Sequence, residues 1–165
     1  VHLIVWRHAH AREGSPDLAR ELTDRGREQA RAMAAWLAPR LPAGARLVAS
    51  PALRSRQTAQ ALREPDLIDP RIAPEAGLHE HLAAIGWPAD AAAAVSGSDR
   101  HATDHERALV LVGHQPTLGR LASQLLAGQA LEWRIRKGAV WWLATRAREG
   151  HARFWLRAVI EPDML

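Results

Sequence analysis

Residues 108–112 read Ala-Leu-Val-Leu-Val, five consecutive apolar residues with no polar alternation. A strand with one solvated face alternates, whereas a strand apolar at every position is covered on both faces, as in a parallel sheet between helices. Gly113-His114-Gln115-Pro116 breaks the run. Leu118, Leu121, Ala122, Leu125 and Leu126 then follow at helical spacing, up to Gly128. A buried strand, a tight turn and an amphipathic helix restrict the chain to an α/β architecture.

The same unit recurs upstream. His2–Trp6 (HLIVW) reads as a buried strand, followed by a polar, turn-rich loop, RHAHAREGSPDLAR. Thr23 is placed to cap a helix whose apolar stripe is Ala30, Met33, Ala34, Leu37 and Leu41, and which Pro39 and Pro42 bring to an end. Arg46–Ala49 is a second short strand. Ser50-Pro51 predicts a helix start, serine at the N-cap and proline at the first helical position, with the helix running to about Arg63. Residues 64–77 carry three prolines and a β-like piece at Leu67-Ile68. Leu78–Ile85 supports a turn or two of helix, broken at Gly86-Trp87-Pro88, with an alanine-rich helix and then an exposed loop over 96–106. Ala139–Ala144 and Arg153–Ile160 read as a hairpin around Arg148-Glu149-Gly150. Trp36, Trp141 and Trp142 fall on helix and strand positions where core or sheet packing accounts for them. The expectation is one domain over 1–165, a three-layer α/β/α sandwich with a mostly parallel central sheet.

Composition narrows the chemistry. Of 165 residues, 47% are apolar and 24% charged, ordinary values for a packed chain. No cysteine is present, which excludes disulfides, thiolate metal sites and cysteine nucleophiles and is compatible with a reducing compartment. No apolar run approaches the roughly 18 residues of a membrane span, and a strand beginning at residue 2 leaves no room for a secretory leader. A cytoplasmic protein with no membrane partner is expected. The formal charge is +4, and Lys137 is the only lysine among 22 basic residues. Basic residues gather between Arg134 and Arg157, which would steer an acidic protein partner. No recognised nucleic-acid module accompanies that charge, so none is expected as a ligand. The pairs His79/His81 and His101/His105 lack the further ligands of a metal site and read as exposed histidines, so no metal or organic cofactor is expected.

Three strand-to-helix junctions deliver cationic or imidazole side chains: Arg7 and His8 after the first strand, Arg54 after the second, and His114 after the Ala108–Val112 strand. In an open parallel sheet these junctions share the carboxyl edge, where ligands bind. Two arginines and two histidines with no adjacent acid suit a dianion, and phosphate is its natural identity. Guanidinium forks match phosphate oxygens and stay charged, while a neutral imidazole has the lone pair to attack phosphorus. Nearby arginines lower the histidine pKa and keep that base form populated.

At these residues the sequence resembles the histidine phosphatase superfamily, and within it the small SixA-type phosphohistidine phosphatases. The shared motifs are VWRHA at 5–9, LTDRGREQA at 22–30, ASPALRSRQTAQAL at 49–62 and LVGHQPTLGRLASQLL at 111–126, with KGAVWWL at 137–143 also similar. The resemblance implies a phosphoglycerate mutase-like fold, His8 as the phosphorylated nucleophile, Arg7 and Arg54 on the phosphate, and His114 as a further phosphate contact. The sequence departs from the pattern at Ala9, where the family triplet has glycine, and at His10, where many SixA-type members carry an acid. Larger members supply a general acid from mid-chain, and Glu75 and Glu80 occupy that region without a motif to fix either. The implied activity is hydrolysis of phosphohistidine on a signalling or phosphotransfer protein. The alternatives are a small-molecule phosphomonoesterase on the same scaffold, and a catalytically silent phosphate- or phosphopeptide-binding module.

Overall fold

The computed structural model describes residues 1–86, 108–148 and 151–165. The alanine-rich segment, the 96–106 loop with His101 and His105, and the Glu149-Gly150 turn lie outside them.

Six strands form one sheet: β1 (His2–Arg7), β2 (Arg46–Ala49), β3 (Leu67–Ile68), β4 (Ala108–Gly113), β5 (Val140–Arg148) and β6 (His151–Ile160), in the order β3-β2-β4-β1-β5-β6. The first four strands run parallel, and β5 and β6 add an antiparallel hairpin beside β1. Among the described residues four helices cover it: α1 (Asp24–Leu37), α2 (Leu53–Gln60), α3 (Leu78–Ala84) and α4 (Thr117–Ala127).

Alternate side chains of β1 feed two separate cores. Ile4 and Trp6 pack with Met33, Ala34 and Leu37 of α1 and Ala59 of α2. Leu3 and Val5 pack with Leu118, Leu121 and Leu125 of α4, and Leu78 and Leu82 of α3 join that side. This is the three-layer sandwich expected, and it explains why β1 and β4 are apolar without alternation.

Two local expectations change. The second helix starts at Leu53 with Ala52 as its N-cap, three residues after Ser50, and its regular part ends at Gln60. Ser50 is fully buried; its hydroxyl accepts from the Ala52 N–H at 3.3 Å and also faces a histidine. The hairpin strands are longer than their apolar cores suggested, Val140–Arg148 and His151–Ile160. Thr23 caps α1 as expected, accepting from the Gly26 N–H at 3.0 Å.

Candidate active site

The sheet order decides which junctions meet. Because β4 lies between β2 and β1, the turn carrying His114 is flanked by the turns carrying His8 and Arg54. Backbone bonds extend the ladder one residue past the strands, from His8 N–H to Gly113 O and from Ser50 N–H to Val112 O, both 3.0 Å. Across β1, the Gly138 N–H points at the carbonyls of Arg7 and His8, each at 3.1 Å. Gly138 has φ +77°, and a Cβ there would stand 2.8 Å from Pro162 Cγ, so this close approach requires glycine.

His8 is 7% exposed. Its Nδ1 lies 2.8 Å from the Ala9 carbonyl oxygen, which only accepts, so Nδ1 carries the proton and Nε2 keeps the lone pair. Burial, then the charges of Arg54, Arg7 and Lys137, push its pKa down to about 3 against the opposing Ala9 bond. Ala9 is fully buried in a cluster with Ala11, Leu22 and Ala30, its N–H donating to Thr58 Oγ1 at 3.1 Å. A methyl group is therefore accommodated where the family triplet has glycine.

The His114 ring lies 5.1 Å from that of His8, centroid to centroid. Its Nε2 is 2.7 Å from Ser50 Oγ and 3.3 Å from Ser55 Oγ, and its Nδ1 faces an Arg54 Nη2 at 3.4 Å. A guanidinium only donates, so Nδ1 accepts and Nε2 bears the proton. Burial first, then His8 and Arg54, lower its pKa to about 2. Both rings are neutral bases walled by cations.

Arg54 is 4% exposed, although it sits in the first turn of a helix. One terminal nitrogen donates to the Asp17 carbonyl at 2.7 Å and the other to the Asp17 carboxylate at 2.9 Å. Arg7 donates to the Ile135 carbonyl at 2.8 Å. The Nε–H groups of Arg7 and Arg54 are buried and find no acceptor among the described residues. Leaving such a donor unmet costs about 1–3 kcal/mol. Two such donors beside two neutral imidazoles describe a place built to receive oxyanions.

The four residues singled out from the sequence thus converge. His10 sits half-buried beside them, its Nδ1 2.9 Å from Thr23 Oγ1 and its N–H on Gln29 Oε1 at 3.0 Å. Burial, then Lys137 and Arg25, lower its pKa. Glu75 and Glu80 are exposed, and among the described residues neither bonds to Arg7, His8, Arg54 or His114. Arg56 is exposed, as expected. His79 is exposed too, but His81 is not. It is fully buried, its Nδ1 donating to the Gly77 carbonyl at 2.9 Å, because α3 turns that side toward the core. No cluster of potential metal ligands occurs among the described residues, and no helix there is long and apolar enough to cross a membrane.

Sequence reasoning missed Asp17, Ser50 and Ser55. Asp17 meets an arginine 37 positions downstream, and Ser50 a histidine 64 downstream, so no local spacing announces either.

Comparison with known proteins places this geometry. No curated protein sequence matches the chain. Among solved structures, one assigned as the phosphohistidine phosphatase SixA of Nakamurella multipartitia superposes with a TM-score of 0.72 at 27% identity, covering 98% of this chain and 95% of that one. A protein histidine phosphatase SixA complexed with tungstate gives 0.73 at 19% identity, with 99% of each chain covered. A mycobacterial glucosyl-3-phosphoglycerate phosphatase with inorganic phosphate gives 0.67 at 23%, with 95% of each covered. The model of the histidine phosphatase superfamily (branch 1) matches residues 3–84, which include Arg7, His8 and Arg54 and stop short of His114. With those residues gathered at one sheet edge on the shared fold, the chain belongs to the histidine phosphatase superfamily and is a phosphatase.

Proposed function

We propose that the protein removes phosphate from phosphohistidine on a protein substrate, in the cytoplasm, through a covalent phospho-His8 intermediate. The observation that carries this reading is the His8 ring, a neutral base with its Nδ1 proton on the Ala9 carbonyl and its Nε2 lone pair free, next to the buried guanidinium of Arg54 and the half-buried Arg7.

In the first step Nε2 attacks phosphorus and the substrate nitrogen takes the electron pair of the breaking bond. Arg7 and Arg54 hold the charge that shifts among the equatorial oxygens. A phosphoryl group arriving beside His114 reverses the local charge and favours protonation at its Nδ1, turning an acceptor into a donor for a phosphoryl oxygen. Ser50 and Ser55 fix the ring by holding Nε2. In the second step water attacks phosphorus, the pair returns to Nε2, and phosphate leaves.

The exposed Glu75 and Glu80 support a phosphohistidine substrate, because an alkoxide leaving group needs a dedicated acid worth about 10²–10⁴-fold, whereas an imidazole with a free pKa near 6.5 does not. The likeness to a glucosyl-3-phosphoglycerate phosphatase favours a second reading, a phosphomonoesterase acting on a small metabolite.

The deciding experiment is a substrate panel of a phosphohistidine protein, an aryl phosphate and sugar phosphates, with wild type and His8→Ala. The phosphohistidine protein should have the highest kcat/KM, His8→Ala should lose at least about 10³-fold on every substrate, and brief labelling should leave acid-labile phosphate on wild type alone. Sugar phosphates turned over as fast as phosphohistidine would move the assignment to the second reading.

A further inference from the structure

The leaving group poses a question that the four converging residues do not answer. In a phosphorylated imidazole ring, the nitrogen bonded to phosphorus departs as imidazolate unless the other ring nitrogen already carries a proton. With that proton in place, neutral imidazole leaves and no proton need move as the P–N bond breaks. A phosphohistidine phosphatase therefore needs an acceptor for the far N–H of its substrate. An alkyl ester needs the reverse, a donor at the bridging oxygen.

Asp17 has the required character. It opens a short 3-10 turn, Asp17–Ala19, in the loop after His8. Its backbone carbonyl and one carboxylate oxygen bind the two terminal nitrogens of Arg54, at 2.7 and 2.9 Å. Its other oxygen accepts from Arg20 at 3.0 Å, and Arg20 is braced by the Arg12 carbonyl and Glu13. The Arg54 side chain is 5% exposed and that of Asp17 is 51% exposed, so the carboxylate spans from the buried clamp to solvent. Each carboxylate oxygen uses one protein donor and has a lone pair left for another. The charged groups facing Asp17 are Arg54 from α2 and Arg20 from its own loop, and the titratable His114 after β4 faces it through space as a neutral ring. The bonds from Arg54 and then Arg20 hold its carboxyl below the usual range, so it is an acceptor and not an acid at neutral pH.

We propose that Asp17 accepts the far N–H of the substrate's phosphorylated imidazole, keeping that ring protonated, and thereby selects P–N over P–O bonds. This rests on the phosphohistidine reading and deepens it. His8 obeys the same rule with a weaker acceptor, since its own far proton sits on the Ala9 carbonyl. A phosphoryl group gripped by Arg54 shares that guanidinium with Asp17, so a ring attached to phosphorus and lying toward solvent meets the carboxylate. The bond that forms is His8 Nε2 to phosphorus, the one that breaks is phosphorus to substrate nitrogen, and the far proton stays with the departing histidine.

The test compares wild type, Asp17→Asn and Asp17→Glu on free phosphohistidine and on 4-nitrophenyl phosphate, across about pH 6 to 9. The amide should lower kcat/KM on phosphohistidine by on the order of tenfold to hundredfold, the effect of removing one ion-pair partner from an imidazolium. The falling high-pH limb should move to lower pH, because the substrate ring then holds its proton less tightly. On nitrophenyl phosphate, whose leaving group needs no proton, the same change should raise kcat/KM by removing an anion beside the dianion site. Asp17→Glu, which restores the charge, should recover part of the phosphohistidine rate. Parallel losses on both substrates would make Asp17 a mere brace for Arg54, and parallel gains would make it a competitor of phosphate. Either result, or an unmoved limb, overturns the assignment while leaving the substrate reading intact. A wild type that hydrolyses nitrophenyl phosphate but not phosphohistidine overturns both.

Discussion

Gly26 offers a test of how the nucleophile loop is held. It lies in the first turn of α1, where an ideal Cβ would stand 1.9 Å from the backbone oxygen of His10 and 2.9 Å from its carbonyl carbon. Non-bonded carbons keep about 3.5 Å or more apart, so Gly26→Ala must separate helix and loop by more than about 1 Å. The contact is fastened on three sides, with Thr23 N–H on His10 O at 3.1 Å, Gly26 N–H on Thr23 Oγ1 at 3.0 Å and His10 N–H on Gln29 Oε1 at 3.0 Å. No flexible side chain is available to yield. Overpacking of this kind costs about 1–3 kcal/mol, against a gain of up to about 1 kcal/mol from alanine's helix propensity. A net loss of roughly 1 kcal/mol lowers Tm by about 2–4 °C in a chain of this length. The displaced backbone is two residues from His8, and a shift of about 1 Å in a reacting group costs up to about 10²-fold in rate. Thermal melts and kcat/KM on an aryl phosphate, with Glu28→Ala on the exposed side of the same helix as the propensity control, measure both effects. A Gly26→Ala protein that melts with wild type and keeps its kcat/KM would refute the claim that this contact sets the position of His8.

Stability should also respond to acid well before the carboxylates titrate. His8 and His114 have folded pKa values of about 3 and about 2, while unfolded histidine titrates near 6.5, so the unfolded state binds more protons as pH falls below that value. Between pH 7 and about 5 the protein should lose roughly 2 kcal/mol per ring. His8→Ala should flatten the melting curve against pH, and a wild-type Tm that does not move over that range would contradict both shifts. Arg54→Lys keeps the charge but loses the fork that serves Asp17 and His114 together, and should lower kcat/KM by about 10²–10³-fold while weakening inhibition by inorganic phosphate. A change within about threefold would mean that a point charge suffices there.

Much of this was legible in the sequence because one physical rule was at work. Strands buried on both faces cannot alternate, so β1 and β4 stood out, and each was followed by the turn that carries a histidine. Gly26 and Gly138 stand within motifs visible in the sequence, but their close approaches, to the His10 backbone and to the Pro162 side chain, show only in the fold. What could not be read depends on long-range contact. Ser50-Pro51 has every local property of a helix start, yet the Ser50 hydroxyl meets His114 as well as the Ala52 N–H, and the helix begins later. His81 looks as solvated as His79 until α3 is packed against α4. Asp17 is one polar residue in a polar loop, and nothing nearby distinguishes it from its neighbours until Arg54 arrives from α2.

The position of β1 has a consequence for how the molecule comes into being. Its two neighbours, β4 and β5, begin more than a hundred residues downstream, so β1 precedes both of its partners and is among the last strands to be paired on both sides. Gly138, also supplied late, donates the N–H that settles the Arg7 and His8 carbonyls. Pairings of such separation form slowly, since a long loop must close before any contact rewards it. His8 precedes in the chain both strands that pair with β1 and the Gly138 turn that completes its cradle. Competence to handle phosphate thus belongs to the assembled sheet rather than to the segment that carries the nucleophile.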